Sequence, residues 1–103
     1  MNRREQLESA LRVLAPRIPG HEFESILDHA LTSAGLRLAT PENAIWLSML
    51  AYARHRFTEY DRLLDEGYDV DSARFFVLED MNDRLAEWGS PRRISGEEDE
   101  ARG

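Results

Sequence analysis

The sequence contains no cysteine, which excludes a disulfide framework, a thiolate nucleophile, an iron–sulfur cluster and cysteine-ligated zinc. Long apolar runs are also missing. The longest, Ala44 to Ala53, is interrupted by Ser48 and bounded by Asn43 and Arg54, far short of the roughly 20 residues that a bilayer requires. No glycine-rich phosphate loop occurs, so nucleotide binding by a P-loop or a Rossmann turn is excluded, and no segment keeps the two-residue alternation of a strand. Basic residues are in deficit, 13 against 20 acidic for a formal net charge of −7. Duplex nucleic acid is therefore repelled on average unless the arginines gather on one face. The N-terminal stretch carries Arg3 and Arg4, but Glu5, Glu8 and a helical period stand where a signal peptide would have an unbroken apolar run. These absences predict a cytoplasmic protein with no membrane span, no cofactor and no metal centre.

What is present is globular in kind. Hydrophobic residues make up 42% of 103 positions and charged residues 32%, enough apolar surface for one core and too little length for two. Leu7, Ala10, Leu11 and Leu14 recur at three- and four-residue spacing, predicting a helix from about Asn2 to Ala15 that Pro16 and Pro19 stop. Phe23, Ile26, Leu27, Ala30, Leu31 and Ala34 repeat the period in a second helix, with Gly35 as its left-handed stop. Leu36 to Ala39 read as a short connector. Thr40, Pro41 and Glu42 then supply a cap, a preset φ and a charge favoured at a helix start. The third helix is apolar on most sides through Ala44, Ile45, Trp46, Leu47, Met49, Leu50 and Ala53, and is expected to be central and the most buried.

Thr58 and Asp61 fit a capping pattern for a short helix closed by Gly67, the alternative being one unbroken helix from Pro41 to Glu66. Asp69 or Asp71 caps a last helix through Ala73, Phe76, Val77, Met81, Leu85 and Trp88, ended by Gly89. After it, residues 90–103 hold one large apolar side chain, Ile94, and a run of acids. The expectation is an all-α protein: a compact bundle of four to five helices over residues 1–89 with a disordered acidic C-terminal tail over 90–103. Trp46, Trp88, Phe75 and Phe76 fall at helical spacing, which points to core packing or a subunit seam in preference to a cofactor box.

Functional side chains are densest in ARHRFTEYDRLL, where Arg54, His55, Arg56, Thr58, Tyr60 and Asp61 lie close together. One reading makes His55 a proton carrier oriented by Asp61 or Glu59, with Arg54 and Arg74 holding an anion. The other has Arg54 or Arg74 paired with Asp61, Thr58 capping a helix, and Tyr60 packed by its ring. His21, Ser25, Asp28 and His29 allow a two-residue metal site to be drawn, but a catalytic zinc site needs about three converging ligands; no metal is assigned.

PRIPGHEFESILDHA, AYARHRFTEYDRLLDEGYDVDSARFFV and a closing LAEW together resemble a family of bacterial and fungal proteins, the domain of unknown function 2293, over about residues 16–90. Its RHxxTxYDxLL block is met by Arg54, His55, Thr58, Tyr60, Asp61, Leu63 and Leu64, and its AR pair by Ala73 and Arg74. The resemblance implies a functional cluster of Arg54, His55, Thr58, Tyr60, Asp61 and Arg74, and implies no activity. Where relatives carry an SGRVGR-like loop this chain reads SAGLRLATPEN, so no anion-binding role passes to that loop.

Three functions follow from these readings. The first is a non-enzymatic module that binds another protein or itself. The second is nucleic-acid association through an arginine patch of Arg54, Arg56, Arg62 and Arg74. The third is a small hydrolase or metal-dependent enzyme centred on His55, which would need a concave pocket beside that residue.

Overall fold

Asn2 starts the first helix by a reciprocal exchange: its side chain accepts the Glu5 N–H at 2.8 Å while the Glu5 carboxylate accepts the Asn2 N–H at 3.1 Å. Two of the donors that a helix start leaves over are thereby satisfied. In the computed structural model, which describes residues 1–95, this helix, α1, covers Arg3–Leu14, followed by α2 (Gly20–Thr32), a single 3₁₀ turn (Ala34–Leu36), α3 (Pro41–Phe57), α4 (Tyr60–Asp65), α5 (Val70–Phe76) and α6 (Leu78–Glu87). The architecture is all-helical, with no strand among the described residues.

Thr40 caps α3 through the Asn43 N–H at 3.2 Å, with Pro41 in its first turn. The helix is buried on nearly every side, at Ala44, Ile45, Trp46, Ser48, Met49, Leu50, Ala53 and Arg54, because α1, α2, α4 and α6 all pack against it. Leu7, Leu11, Ile26, Leu27, Met81 and Leu85 close around it from those neighbours. Trp88 finishes the core beyond α6. Its indole N–H donates to the Glu22 carboxylate at 3.0 Å, and its ring lies 6.2 Å from Phe57 and 6.3 Å from Tyr52, which satisfies the polar atom while burying the apolar body. The Pro16–Pro19 linker is tied to the same point, since the Arg17 N–H donates to the Trp88 carbonyl at 2.8 Å.

Three expectations need correction. Gly35 is no left-handed stop: among the described residues only Gly67 and Gly89 have positive φ, and α2 ends instead at an extended Ser33, with the chain turning through the 3₁₀ segment. The turn and the connector after it are held from afar, as the Arg3 guanidinium donates to the carbonyls of Leu36 and Ala39. The alternative of one unbroken helix from Pro41 to Glu66 gives way to the separate short helix, because Thr58 is extended and α3 ends at Phe57. The last helix is two helices. Val77, at φ −100° and ψ 4°, breaks it next to two phenylalanines, residues that favour helix weakly. The break buries Val77 and lets α6 lay Met81 and Leu85 on α3, while Phe75 and Phe76 stay outside.

The third correction concerns the tail. Residues 90–95 are docked: Ile94 is 4% exposed, its N–H donates to the Asn82 side-chain oxygen at 2.8 Å, and its carbonyl accepts from the Asn82 side-chain nitrogen at 3.0 Å. The Arg92 guanidinium covers the Trp46 ring at 4.0 Å. The remainder of the segment expected to be disordered, residues 96–103, lies outside the described residues.

Candidate functional site

The joint between α3 and α4 gathers most of the sequence-predicted cluster. Thr58, just past the end of α3, donates its hydroxyl to the Arg54 carbonyl and accepts the Tyr60 N–H at 3.1 Å, so one side chain closes one helix and opens the next. Asp61 does not complete a capping box with Thr58. It turns to His55 and accepts from Nδ1 at 2.8 Å. The His55 ring meets Tyr60 edge to face at 5.5 Å, and the Arg54 guanidinium lies over the same Tyr60 ring at 5.5 Å. Arg54, His55, Thr58, Tyr60 and Asp61 therefore converge. Arg74 sits half-buried on α5, an element packed against α4.

Burial divides this cluster. Arg54 is 6% exposed and Tyr60 is buried, so these two act as glue between helices. His55 and Asp61 stay about half exposed, at 52% and 60% of their side chains, and can meet a solute. The carboxylate of Asp61 fixes the orientation of the His55 ring through Nδ1.

Three of the four arginines of the expected patch have separate employments. Arg54 is buried on Tyr60, Arg56 stacks on Tyr52 at 5.5 Å, and Arg62 lies between Glu59 and Glu66, 2.6 Å from the latter. Arg12 on Phe23, Arg84 on Phe57 and Arg92 on Trp46 repeat the stacking theme. Every basic residue of the chain is an arginine, the cation whose planar, weakly hydrated head suits aromatic faces.

His29 was placed beside Asp28 by sequence and is instead joined to α3, its Nδ1 2.8 Å from the hydroxyl of Ser48. Ser48 is 1% exposed, a buried hydroxyl satisfied from the neighbouring helix. The Ser25 hydroxyl bonds the His21 carbonyl and the Thr32 hydroxyl that of Asp28. Among the described residues no group of three or more His, Cys, Asp or Glu is arranged to hold a metal ion. His29, Ser48, Ala51, Tyr52, His55 and Arg56 line a cleft of about 220 Å³ between α2 and α3. Sequence reasoning missed this meeting of His29 with the His55 region because it depends on how two helices cross.

A second feature lies outside the core. Phe75 and Phe76, expected in a core or seam, are 72% and 56% exposed, and Tyr68 and Val70 beside them are exposed as well. The rings associate with one another: Tyr68 with Phe76 at 5.5 Å and Phe75 with Phe76 at 6.0 Å, both edge to face. Asp69 secures the helix that carries them, accepting the Ser72 N–H at 2.7 Å, and this backbone hydrogen bond holds its carboxyl below the ordinary value of 3.8. Phe75 and Phe76 lead into a groove of about 500 Å³ bounded by Leu78, Asn82 and Arg93.

A family model described as "Uncharacterized conserved protein (DUF2293)" matches residues 10–89. No curated protein and no solved structure matches the chain.

Proposed function

The chain belongs to the DUF2293 family, whose description assigns no activity, and we propose from its surface that it is a non-enzymatic docking module for another protein, with the face around α5 as the contact. The observation that carries this reading is the side-by-side exposure of Tyr68, Val70, Phe75 and Phe76. Single exposed apolar side chains are ordinary, but contiguous ones rimmed by polar groups mark contact surfaces. Aromatic side chains are also the type enriched at the energetic centre of interfaces. Folding gains little from these four, since the core is complete without them. Asp69 and the edge-to-face ring contacts nonetheless hold them in one arrangement, which lowers the ordering cost on binding.

The other readings draw less support. A nucleic-acid interface needs arginines free to meet phosphates, and Arg54 is buried while Arg62 is engaged by two carboxylates. A nucleophilic hydrolase centred on His55 needs an accessible side-chain hydroxyl, and that of Ser48 in the neighbouring cleft is enclosed.

The test is site-specific photocrosslinking in the native host, with a benzophenone amino acid at position 75 and, as a control, at the exposed position 65. A discrete adduct at position 75 that disappears when Phe76 is changed to serine supports the reading. An adduct with a second copy assigns the face to self-association, and position 75 giving the same adducts as position 65 refutes it.

A further inference from the structure

Negative charge collects where the α5 face lies. From residue 65 to residue 83 the chain has seven carboxylates and one base, Arg74, a net charge of −6 against −7 for all 103 residues. All seven acidic residues are exposed. Two of them, Glu79 and Asp83, stand one turn apart on α6 and line the groove of about 500 Å³ together with Phe75 and Phe76, with Arg93 as the one base lining it. Among the described residues neither Glu79 nor Asp83 forms an ion pair with a base. Carboxylates gathered in this way repel one another in the free protein. A cation brought to the groove relieves that repulsion.

The rings of the face lack a cation too. Phe23, Trp46, Tyr52, Phe57 and Tyr60 each carry a guanidinium of the chain itself, between 3.8 Å and 5.5 Å from the ring centre. Trp88 is 1% exposed and enclosed in the core. Among the described residues the aromatic rings left with no cation over them and open to solvent are Tyr68, Phe75 and Phe76, all on this face. An aromatic ring attracts a cation through its quadrupole, more strongly once solvent is excluded, and carboxylates at the groove accept from guanidinium or ammonium donors. We infer that the occupant of the α5 face, given the docking role proposed above, is a positively charged, partly apolar segment of another protein, its arginine or lysine side chains lying over Tyr68, Phe75 and Phe76 and reaching Glu79 and Asp83.

Charge also disfavours the other occupants. A second copy joined face to face would set the same acids against themselves, since an isologous contact pairs a patch with itself. Nucleic-acid phosphates and anionic lipid headgroups meet the same repulsion.

Photocrosslinking of the full chain in its native host, with the benzophenone amino acid at position 75, tests the charge as well as the contact. The adduct, digested and sequenced by mass spectrometry, is expected to hold a partner peptide of net positive charge. Glu79→Lys with Asp83→Lys is expected to lower its yield about tenfold or more, and the milder pair Glu79→Gln with Asp83→Asn by about threefold. Glu24→Lys with Asp28→Lys, exposed and at the same spacing on α2, is expected to leave the yield unchanged, which separates the groove from net charge. Circular dichroism of the purified variants establishes that each folds. A discrete adduct that withstands both changes at Glu79 and Asp83, or that holds an acidic partner peptide, overturns this inference and leaves the docking reading standing. An equal loss in the α2 pair overturns it as well. A second copy in the adduct, or no discrete adduct at position 75, overturns both.

Discussion

Asn82 is expected to be a stability determinant through residues that composition alone would leave unstructured. Its carboxamide brackets the Ile94 backbone with two hydrogen bonds, 2.8 Å and 3.0 Å long, and in doing so seats a side chain that is 4% exposed. At about 1 kcal/mol net for each bond, Asn82→Ala should cost roughly 2 kcal/mol. Ile94→Ala should cost a similar amount, at the low end of the roughly 2–5 kcal/mol seen for buried aliphatic truncations, because a terminal segment can let go and leave no cavity. For a domain of this size 1 kcal/mol moves the melting temperature by about 4–8 °C, so each single change should lower it by roughly 8–16 °C. The double variant should lose little more than either single one, since release of the segment forfeits both interactions at once. Release also uncovers Trp46, over which Arg92 sits at 4.0 Å, so acrylamide quenching of tryptophan fluorescence should rise while Trp88 remains buried. Thermal unfolding of the four proteins decides the matter. An unchanged melting temperature for Asn82→Ala, or full additivity in the double variant, would refute the reasoning.

Three further outcomes are expected. Gly67→Ala meets no atom within 4 Å and costs only the backbone penalty at φ +101°, about 1–2 kcal/mol. Gly89→Ala, at φ +80°, also drives a methyl to 3.1 Å from Pro16 and 3.2 Å from Arg17, so denaturant unfolding should show it the more damaging by about 1 kcal/mol or more. Asp69 has its carboxyl held below 3.8 by the Ser72 N–H. A carboxyl depressed in the folded state contributes stability above its unfolded value and loses it as pH falls through the lower folded value. The stability difference between the wild type and Asp69→Ala should therefore be constant above about pH 5 and shrink only below about pH 4; a difference that grows on acidification contradicts the assigned hydrogen bond. Tyr52 buries its hydroxyl without a hydrogen-bond partner among the described residues. Tyr52→Phe should be neutral or stabilising by up to about 1 kcal/mol in urea unfolding, and a clear loss would show that the hydroxyl has a partner.

Where a feature depended on neighbours in sequence it was legible. Thr40 with Pro41, Gly67 and Gly89 each act within one turn of chain, and each does in the structure what its residue type implies. Periodicity likewise located α1, α2 and α3, because three- and four-residue spacing puts side chains on one stripe whatever that stripe later meets. The same argument shows why the spacing of Phe75 and Phe76 left core and seam undivided. A period says which residues share a face and is silent about what covers it, and the break at Val77 turns α6 toward α3 while leaving the phenylalanines with no element above them among the described residues. Residues 90–95 depart from expectation for the converse reason. Composition averages over a segment, but the docking of these residues rests on one side chain, Ile94, and on Asn82, twelve positions upstream.

The candidate cluster was half legible for a reason rooted in arginine. Counting charges treats each guanidinium as a free cation, yet burial of Arg54 under Tyr60 and stacking of Arg56 on Tyr52 make both part of the packing. A sequence window groups Arg54, His55 and Arg56 because they are consecutive, while the helix sends consecutive residues in directions about 100° apart. Arg54 accordingly goes into the core, and His55 and Arg56 go to a cleft whose other histidine arrives from α2. The cleft is therefore lined by residues seven and four positions apart on α3, Ser48 with His55 and Tyr52 with Arg56, together with His29. Spacings of four and seven are the ones that place side chains on one helical face, so the cleft could have been sought there, had the partner helix been known.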